Sequence, residues 1–140
     1  YDLEGLELSA VDRAALNAVG NRGYTSRSGN EVGGRVMQNW FNPNLVSTSK
    51  VRGADGFVVP LSAPFKLFHT TVATWHAHPD GAGNNFFSKR DIWNAEDRNL
   101  ITYVSGDGRI LKYDPVTGEF YECSSETNDF EISDWEICVR

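Results

Sequence analysis

Three side chains that are potential metal ligands lie within the sixteen residues from His76 to Asp91. His76 and His78 are separated by one residue, so on a β-strand both would point to the same face. Pro79 follows directly and would end the strand, which places both imidazoles at its end rather than in mid-sheet. Two histidines and one carboxylate are three zinc ligands, and they leave the fourth coordination position open for water, as in catalytic zinc sites.

The third ligand, Asp91, lies in a stretch whose sequence predicts a helix from Ser88 to about Arg98. A serine with an acid three residues later is typical of a helix N-cap. An aspartate at the third helical position can point back toward the helix N-terminus and meet the two imidazoles. Each half is weak evidence alone, because His-x-His pairs are common at surfaces and Ser-x-x-Asp usually only caps a helix. Their order, with a short loop between them, is much more specific.

The elements that must position these ligands alternate between strands and two short helices. A second capping pattern predicts a helix over 9–19. Two glycines within the first predicted strand indicate that something approaches its backbone closely. Gly106-Asp107-Gly108 is typical of a hairpin turn. Apolar and β-branched runs predict strands at 31–37, 56–60, 70–76, 100–104, 109–113, 119–123 and 135–139. We therefore predict one compact α+β domain over residues 1–140.

Composition limits the classes of partner. The chain has 140 residues, with 13 basic and 19 acidic side chains and a net charge of −6. A phosphate backbone needs a cationic surface, so we expect no nucleic acid partner. No run of about 20 apolar residues exists that could span a bilayer, and we expect no membrane partner. Because the chain begins with Tyr1 rather than Met, we expect it to be excised from a longer polypeptide.

The two cysteines, Cys123 and Cys138, both fall in short strand-like runs that could be neighbours. A disulfide and two buried free thiols remain open alternatives. The chain has no Cys-x-x-Cys pair, which excludes a structural zinc knuckle.

The candidate residues resemble the signature of the JAB/MPN metalloproteases, also called JAMM. That signature is a glutamate on an early strand, then His-x-His-Pro, then Ser-x-x-Asp. The chain has Glu31, His76-Ala77-His78-Pro79 and Ser88-Lys89-Arg90-Asp91 in that order. The resemblance covers roughly residues 10–113. The nine residues between His78 and Ser88 exceed the commonest family spacing, and the glycine-rich stretch 81–85 could hold the extra length.

This resemblance implies a central mixed sheet flanked by helices and a zinc-dependent peptidase or isopeptidase activity. It implies that His76, His78 and Asp91 hold Zn²⁺, and that Ser88 stabilises the oxyanion. Glu31 would take the proton of the metal-bound water and pass it to the leaving amine. Four other upstream acids compete for the role of Glu31: Asp2, Glu4, Glu7 and Asp12.

The residues around the motif have further expected roles. Trp75 and Trp93 are expected in the core, whereas Asn94 could orient a ligand. His69 lies outside the pattern. Four aromatic residues are expected to flank loops near the site: Trp40, Phe41, Phe86 and Phe87. Phe86 and Phe87 would either line a substrate groove or cover the helix start.

The start of the chain offers a hint about biology. Residues 1–6, Tyr-Asp-Leu-Glu-Gly-Leu, are similar to the boundary that ends the core of Rhs-type polymorphic toxins, and residues 100–115 resemble the toxin-associated JAB-like group. This implies an effector domain, secreted or delivered into the cytoplasm of a target cell, that acts on a protein or peptide substrate and is neutralised by an immunity protein. The alternatives are a non-catalytic MPN-type interaction module and a housekeeping JAB peptidase.

Overall fold

The structure is a computed structural model that describes residues 6–20, 32–53, 59–78, 87–106, 109–125 and 135–139. These residues form two α-helices, one short 3₁₀ helix and nine strands in a single sheet. In chain order the elements are β1 (Leu6–Glu7), α1 (Ala10–Gly20), β2 (Val32–Asn39), β3 (Val46–Thr48), β4 (Val51–Arg52), the 3₁₀ helix (Pro60–Ser62), β5 (His69–Ala77), α2 (Lys89–Arg98), β6 (Ile101–Gly106), β7 (Arg109–Asp114), β8 (Glu119–Ser125) and β9 (Trp135–Val139).

The sheet is mixed. Its strands follow the order β1-β9-β8-β7-β6-β5-β2-β3, and β4 pairs with β2 beside this path. Strands β5 and β6 are parallel, and every other described pair is antiparallel. Two adjacent parallel strands need a crossover connection, and α2 lies in it. The predicted α+β class, with a mixed sheet flanked by helices, is confirmed.

The two helices pack on opposite faces of the sheet, and each face takes alternate residues of the strands, such as Tyr103 and Val104. The α1 face holds the larger apolar core, which includes Leu16, Val36, Trp75 and Tyr103. The α2 face holds a smaller core: Phe87, Ala95, Val104, Leu111 and Tyr113, with Ile92 packed against it. Trp75 therefore lies in the core, as predicted, and Phe87 covers the start of α2 rather than lining a groove.

Helix α1 begins with a capping box that its sequence predicts. The Ser9 amide donates to Asp12 Oδ2 over 3.2 Å, and the Asp12 amide donates to Ser9 Oγ over 3.1 Å. The other carboxylate oxygen, Asp12 Oδ1, accepts from Lys112 Nζ at 2.8 Å and from the Tyr103 hydroxyl. All three side chains are buried, so one ion pair and one hydrogen bond fasten α1 to β6 and β7.

One glycine of β2, Gly34, allows a close approach, as predicted. The Ser49 carbonyl lies directly over Gly34, where a Cβ would come within 1.7 Å of its oxygen. Ser49 is held there by two hydrogen bonds of 3.1 Å: its amide donates to the Arg35 carbonyl, and its carbonyl accepts from Trp75 Nε1. The partner of this glycine is thus the chain's own backbone.

Strands β8 and β9 pair antiparallel, with Cys123 directly opposite Cys138. Cys123 is disulfide-bonded, and Cys138 is the only other cysteine of the chain. Of the two alternatives left open by the sequence, the structure therefore has the disulfide.

Two strand expectations need correction. Of the strand expected at 56–60, residues 56–58 lie outside the described residues, whereas Val59 is not in a strand and Pro60 begins the 3₁₀ helix. Proline at this position suits a helical start, because its fixed φ matches and its missing N–H is not needed there. No strand was predicted between Leu45 and Asp55, yet this segment contains β3 and β4, which pair with β2.

Candidate metal centre

The two histidines of the motif lie at the end of β5, where the sequence places them. His76 is the second-last residue of the strand, and its neighbours in the register are Gly33 on β2 and Val104 on β6. His78 lies just beyond the strand, but its amide still donates to the Ser105 carbonyl over 2.8 Å. This bond continues the pairing with β6, so both imidazoles point to the same face, with their ring centroids 4.9 Å apart. Both side chains are buried.

The aspartate reaches the same point from the N-terminus of α2. Ser88 is the N-cap: its hydroxyl accepts from the Asp91 amide at 3.1 Å, and its amide donates to Asp91 Oδ2 at 2.8 Å. This reciprocal capping box fixes the Asp91 side chain against the first helical turn. The predicted helix start and the predicted direction of the carboxylate are both present.

The three ligand atoms form a nearly equilateral triangle. His76 Nε2 lies 3.1 Å from His78 Nε2 and 3.3 Å from Asp91 Oδ2, and the remaining side, from His78 Nε2 to Asp91 Oδ2, is 3.6 Å. In a tetrahedral zinc site with ligand distances of about 2.0–2.1 Å, neighbouring ligand atoms lie about 3.3–3.4 Å apart. The donor set and its spacing therefore fit one zinc ion.

The charge state of the site also suits a cation. Burial by itself would raise the pKa of Asp91, but His76, His78 and the Ser88 amide outweigh it and hold that pKa well below its usual range. These contacts favour the charged form of Asp91. A half-buried carboxylate beside two buried imidazoles is a set of donors that a divalent ion would complete.

A cavity of about 150 Å³ opens beside the site, lined by two of the three ligands, His76 and Asp91. Helix α2 forms one wall, the segment around the 3₁₀ helix forms the facing wall, and β5 and β6 form the floor. The lining is partly apolar, and His76, Ser88 and Asp91 lie at one end of it. The described residues that line the cavity are Val59, Pro60, Leu61, Thr74, His76, Ser88, Arg90, Asp91, Asn94, Ala95, Arg98, Leu100 and Thr102.

Arg35 holds the wall opposite α2, and nothing in the sequence singled it out. Its guanidinium donates to the carbonyls of Leu61 and Ala63 and to Thr71 Oγ1, the last over 2.8 Å. Arg35 is paired with Thr74 in the register, so it lies on the same face of the sheet as His76. The available signal was a single charged residue inside an otherwise apolar and glycine-rich strand.

Glu31 and Phe86 fall outside the described residues, as do Asp2 and Glu4. Asp12, a competitor for the role of base, is on the opposite face of the sheet, because it belongs to α1. Glu7 lies in β1, at the far edge of the sheet.

Two placements of aromatic residues were wrong. Trp93 is 64% exposed rather than in the core, because Ile92 and Ala95 occupy the face of α2 that meets the sheet. Trp40 and Phe41 are not near the site. Asn39, the residue before Trp40, pairs with His69 at the start of β5. Seven residues separate His69 from His76 along this strand, which is about 23 Å at 3.3 Å per residue. His69 is buried at that same distant end, with Nδ1 2.7 Å from the Leu67 carbonyl.

Asn94 lines the cavity one turn after Asp91, and it does not contact the three ligands in any hydrogen bond among the described residues.

The chain matches no protein-family model, no curated protein and no solved structure. Neither of the two described helices has the length and apolar character that crossing a bilayer requires.

Proposed function

We propose that this domain is a JAMM-type zinc-dependent hydrolase that cleaves a peptide or isopeptide bond. One observation carries the proposal: two imidazole nitrogens and one carboxylate oxygen converge at the spacing of tetrahedral ligands, beside a cavity. The ligands come from a strand end and a helix N-terminus. Three protein ligands leave one coordination position open, which favours catalysis over a purely structural role.

Bound zinc would supply Lewis acidity, polarising a substrate carbonyl and making water acidic enough to lose a proton near neutral pH. Glu31 would accept that proton and pass it to the leaving amine. The residue after Glu31 supports this role, because Val32 pairs with Ala77, the residue between the two histidines.

Ser88 would stabilise negative charge on the substrate oxygen. Its hydroxyl oxygen accepts from the Asp91 amide, which leaves the hydroxyl hydrogen available as a donor. Ser88 also lines the cavity, where its hydroxyl hydrogen would meet a bound substrate. Loss of one such donor typically costs on the order of 10²-fold in rate.

Zinc binding is tested by elemental analysis of purified protein. We expect one Zn²⁺ per wild-type chain and a loss of metal in His78→Ala. His69→Ala is the matched control, since it removes a buried histidine from the other end of the same strand. Full zinc occupancy in His78→Ala would refute the ligand assignment.

Catalysis is tested with Glu31→Gln, which cannot accept a proton but is nearly isosteric. We expect it to keep its zinc and to lose hydrolysis of a mixture of unfolded protein substrates. A zinc-loaded wild type without activity on peptide or isopeptide bonds would favour the alternative, a non-catalytic MPN-type module. Undiminished activity in Glu31→Gln would assign the base to another acid.

The biological role that we propose is that of an effector, which an immunity protein would neutralise. It rests on the resemblance of residues 1–6 and 100–115 to toxin sequences. Expression of the wild-type domain in bacteria should then stop growth, whereas equally expressed Glu31→Gln and His76→Ala should not. If the wild type proves harmless in bacteria and yeast, a housekeeping peptidase becomes the better reading.

A further inference from the structure

We infer that the cavity beside the metal centre binds a substrate carboxylate about three residues from the scissile amide, and that Arg98 recognises it. The inference rests on the proposed hydrolase function and adds the substrate class that the site would select. It follows from the direction of the cavity, its size and the charges along it.

The cavity follows one face of α2. Four residues on that helix that line it are spaced i, i+3, i+4 and i+7, which is the spacing of a single helix face: Asp91, Asn94, Ala95 and Arg98. The metal ligand stands at the N-terminal end of this row and Arg98 at the other. Seven residues of α-helix separate the two by about 10 Å along the axis. An extended peptide covers that distance in about three residues.

The size of the cavity suits single side chains of an extended segment rather than a folded partner. Its volume of about 150 Å³ is comparable to that of an engineered protein cavity that holds a benzene-sized group. The floor is made of small side chains, with Thr74 Oγ1 bonded to Thr102 Oγ1 over 3.3 Å. Apolar side chains on both walls, Leu61 and Ala95 among them, would contact the aliphatic part of a substrate side chain.

The charge of the cavity is opposite to that of the chain. The chain carries −6, yet the described charged residues that line the cavity are Arg90, Arg98 and Asp91. The Asp91 carboxylate is occupied by the two imidazoles and the Ser88 amide, and would be a metal ligand. Arg90 stands beside Asp91 at the metal end, so among these described residues Arg98 alone gives the far end of the cavity its positive charge. Arginine binds carboxylates in a planar, bidentate geometry, and the Asn94 amide stands one turn before Arg98 to add a further donor.

A carboxylate at this position has two sources, an acidic side chain or a free chain terminus. One set of peptide probes distinguishes the two sources. In each probe a hydroxamate replaces the scissile amide, and a three-residue segment extends from it on the N-terminal or the C-terminal side. The third residue is Glu amide, Gln amide or, on the C-terminal side, Gln with a free carboxylate. Binding to the zinc-loaded domain is measured by calorimetry.

We expect at least one carboxylate probe to bind about tenfold tighter than its Gln amide counterpart, because a charge-assisted hydrogen bond replaces a neutral one. Arg98→Gln should abolish this preference, whereas Arg98→Lys should keep part of it by retaining the charge. Arg13→Gln is the matched control, since Arg13 is an exposed arginine on α1, across the sheet. The source of the carboxylate follows from which probe gains affinity.

The two levels of the proposal fail in different ways. If the probes bind through the metal, as shown by their loss in His78→Ala, but Glu and Gln bind equally, the carboxylate site is refuted and the hydrolase proposal stands. A preference that persists unchanged in Arg98→Gln refutes the assignment to Arg98. If wild type and His78→Ala bind the probes equally, or neither binds them, the hydrolase proposal fails and the inference fails with it.

Discussion

Gly34 is the position where the smallest change should have the largest effect on stability. An alanine Cβ would lie 1.7 Å from the Ser49 oxygen, 2.6 Å from the Ser49 carbonyl carbon and 3.0 Å from Lys50 Cα. All three are backbone atoms, so no side chain can rotate away to relieve the contact. Ordinary contact begins at 3.4 Å, and the Ser49 carbonyl would have to move by about 1.7 Å.

Such a shift would break both hydrogen bonds that hold Ser49. Its amide bond to Arg35 and its carbonyl bond to Trp75 are each 3.1 Å long, and Trp75 is only 1% exposed. Each lost bond costs about 1 kcal/mol, and overpacking costs about 1–3 kcal/mol more. We therefore expect Gly34→Ala to lower the free energy of unfolding by about 3–5 kcal/mol.

Urea unfolding followed by circular dichroism measures this loss. With a slope of about 2 kcal/mol/M, the midpoint should fall by about 2 M. Gly118→Ala is the matched control: Gly118 has φ +73° and open space around it, so alanine there should cost only about 1 kcal/mol of backbone strain. Trp75→Phe removes one Ser49 bond without a clash and should lie between the two. A Gly34→Ala domain as stable as Gly118→Ala would refute the reasoning.

Three further outcomes are expected. Asp12→Asn leaves Lys112 buried without its carboxylate and should cost about 3–5 kcal/mol in urea unfolding. Burial alone would raise the pKa of Asp12, but the hydrogen bonds from Lys112 and Tyr103 outweigh burial and lower that pKa below 3.8. The free energy of unfolding of the wild type should therefore decrease as the pH falls below about 3.8. Asp12→Asn should lack that part of the decrease. Reducing the disulfide, or Cys123→Ser, should cost about 3 kcal/mol, since the bond closes a loop of about 15 residues in the unfolded chain. Zinc at 100 times its dissociation constant should raise the free energy of unfolding of the wild type by about 2.7 kcal/mol. The free energy of unfolding of Asp91→Ala should not change with zinc. Thermal melts with and without the metal measure both.

The sequence by itself determined the features that depend on near neighbours in the chain. Both capping boxes, at Ser9 and Ser88, follow from side chains that bond to a backbone three residues away. The strand that carries His76 and the helix that carries Asp91 follow from local hydrophobic pattern and turn signals. The close approach at the β2 glycines was also readable, because a strand tolerates such residues where something lies near its backbone.

Only the tertiary structure decided which distant segments of the chain contact these elements. That the atom over Gly34 is the Ser49 carbonyl, and that Arg35 binds the carbonyls of Leu61 and Ala63, depends on contacts between segments far apart in the chain. The same limit explains the wrong placement of Trp93, since its type favours burial but the packing of Ile92 and Ala95 sets which face of α2 meets the sheet. Side-chain type and spacing specify local geometry, whereas which faces meet is set by the packing of the whole sheet.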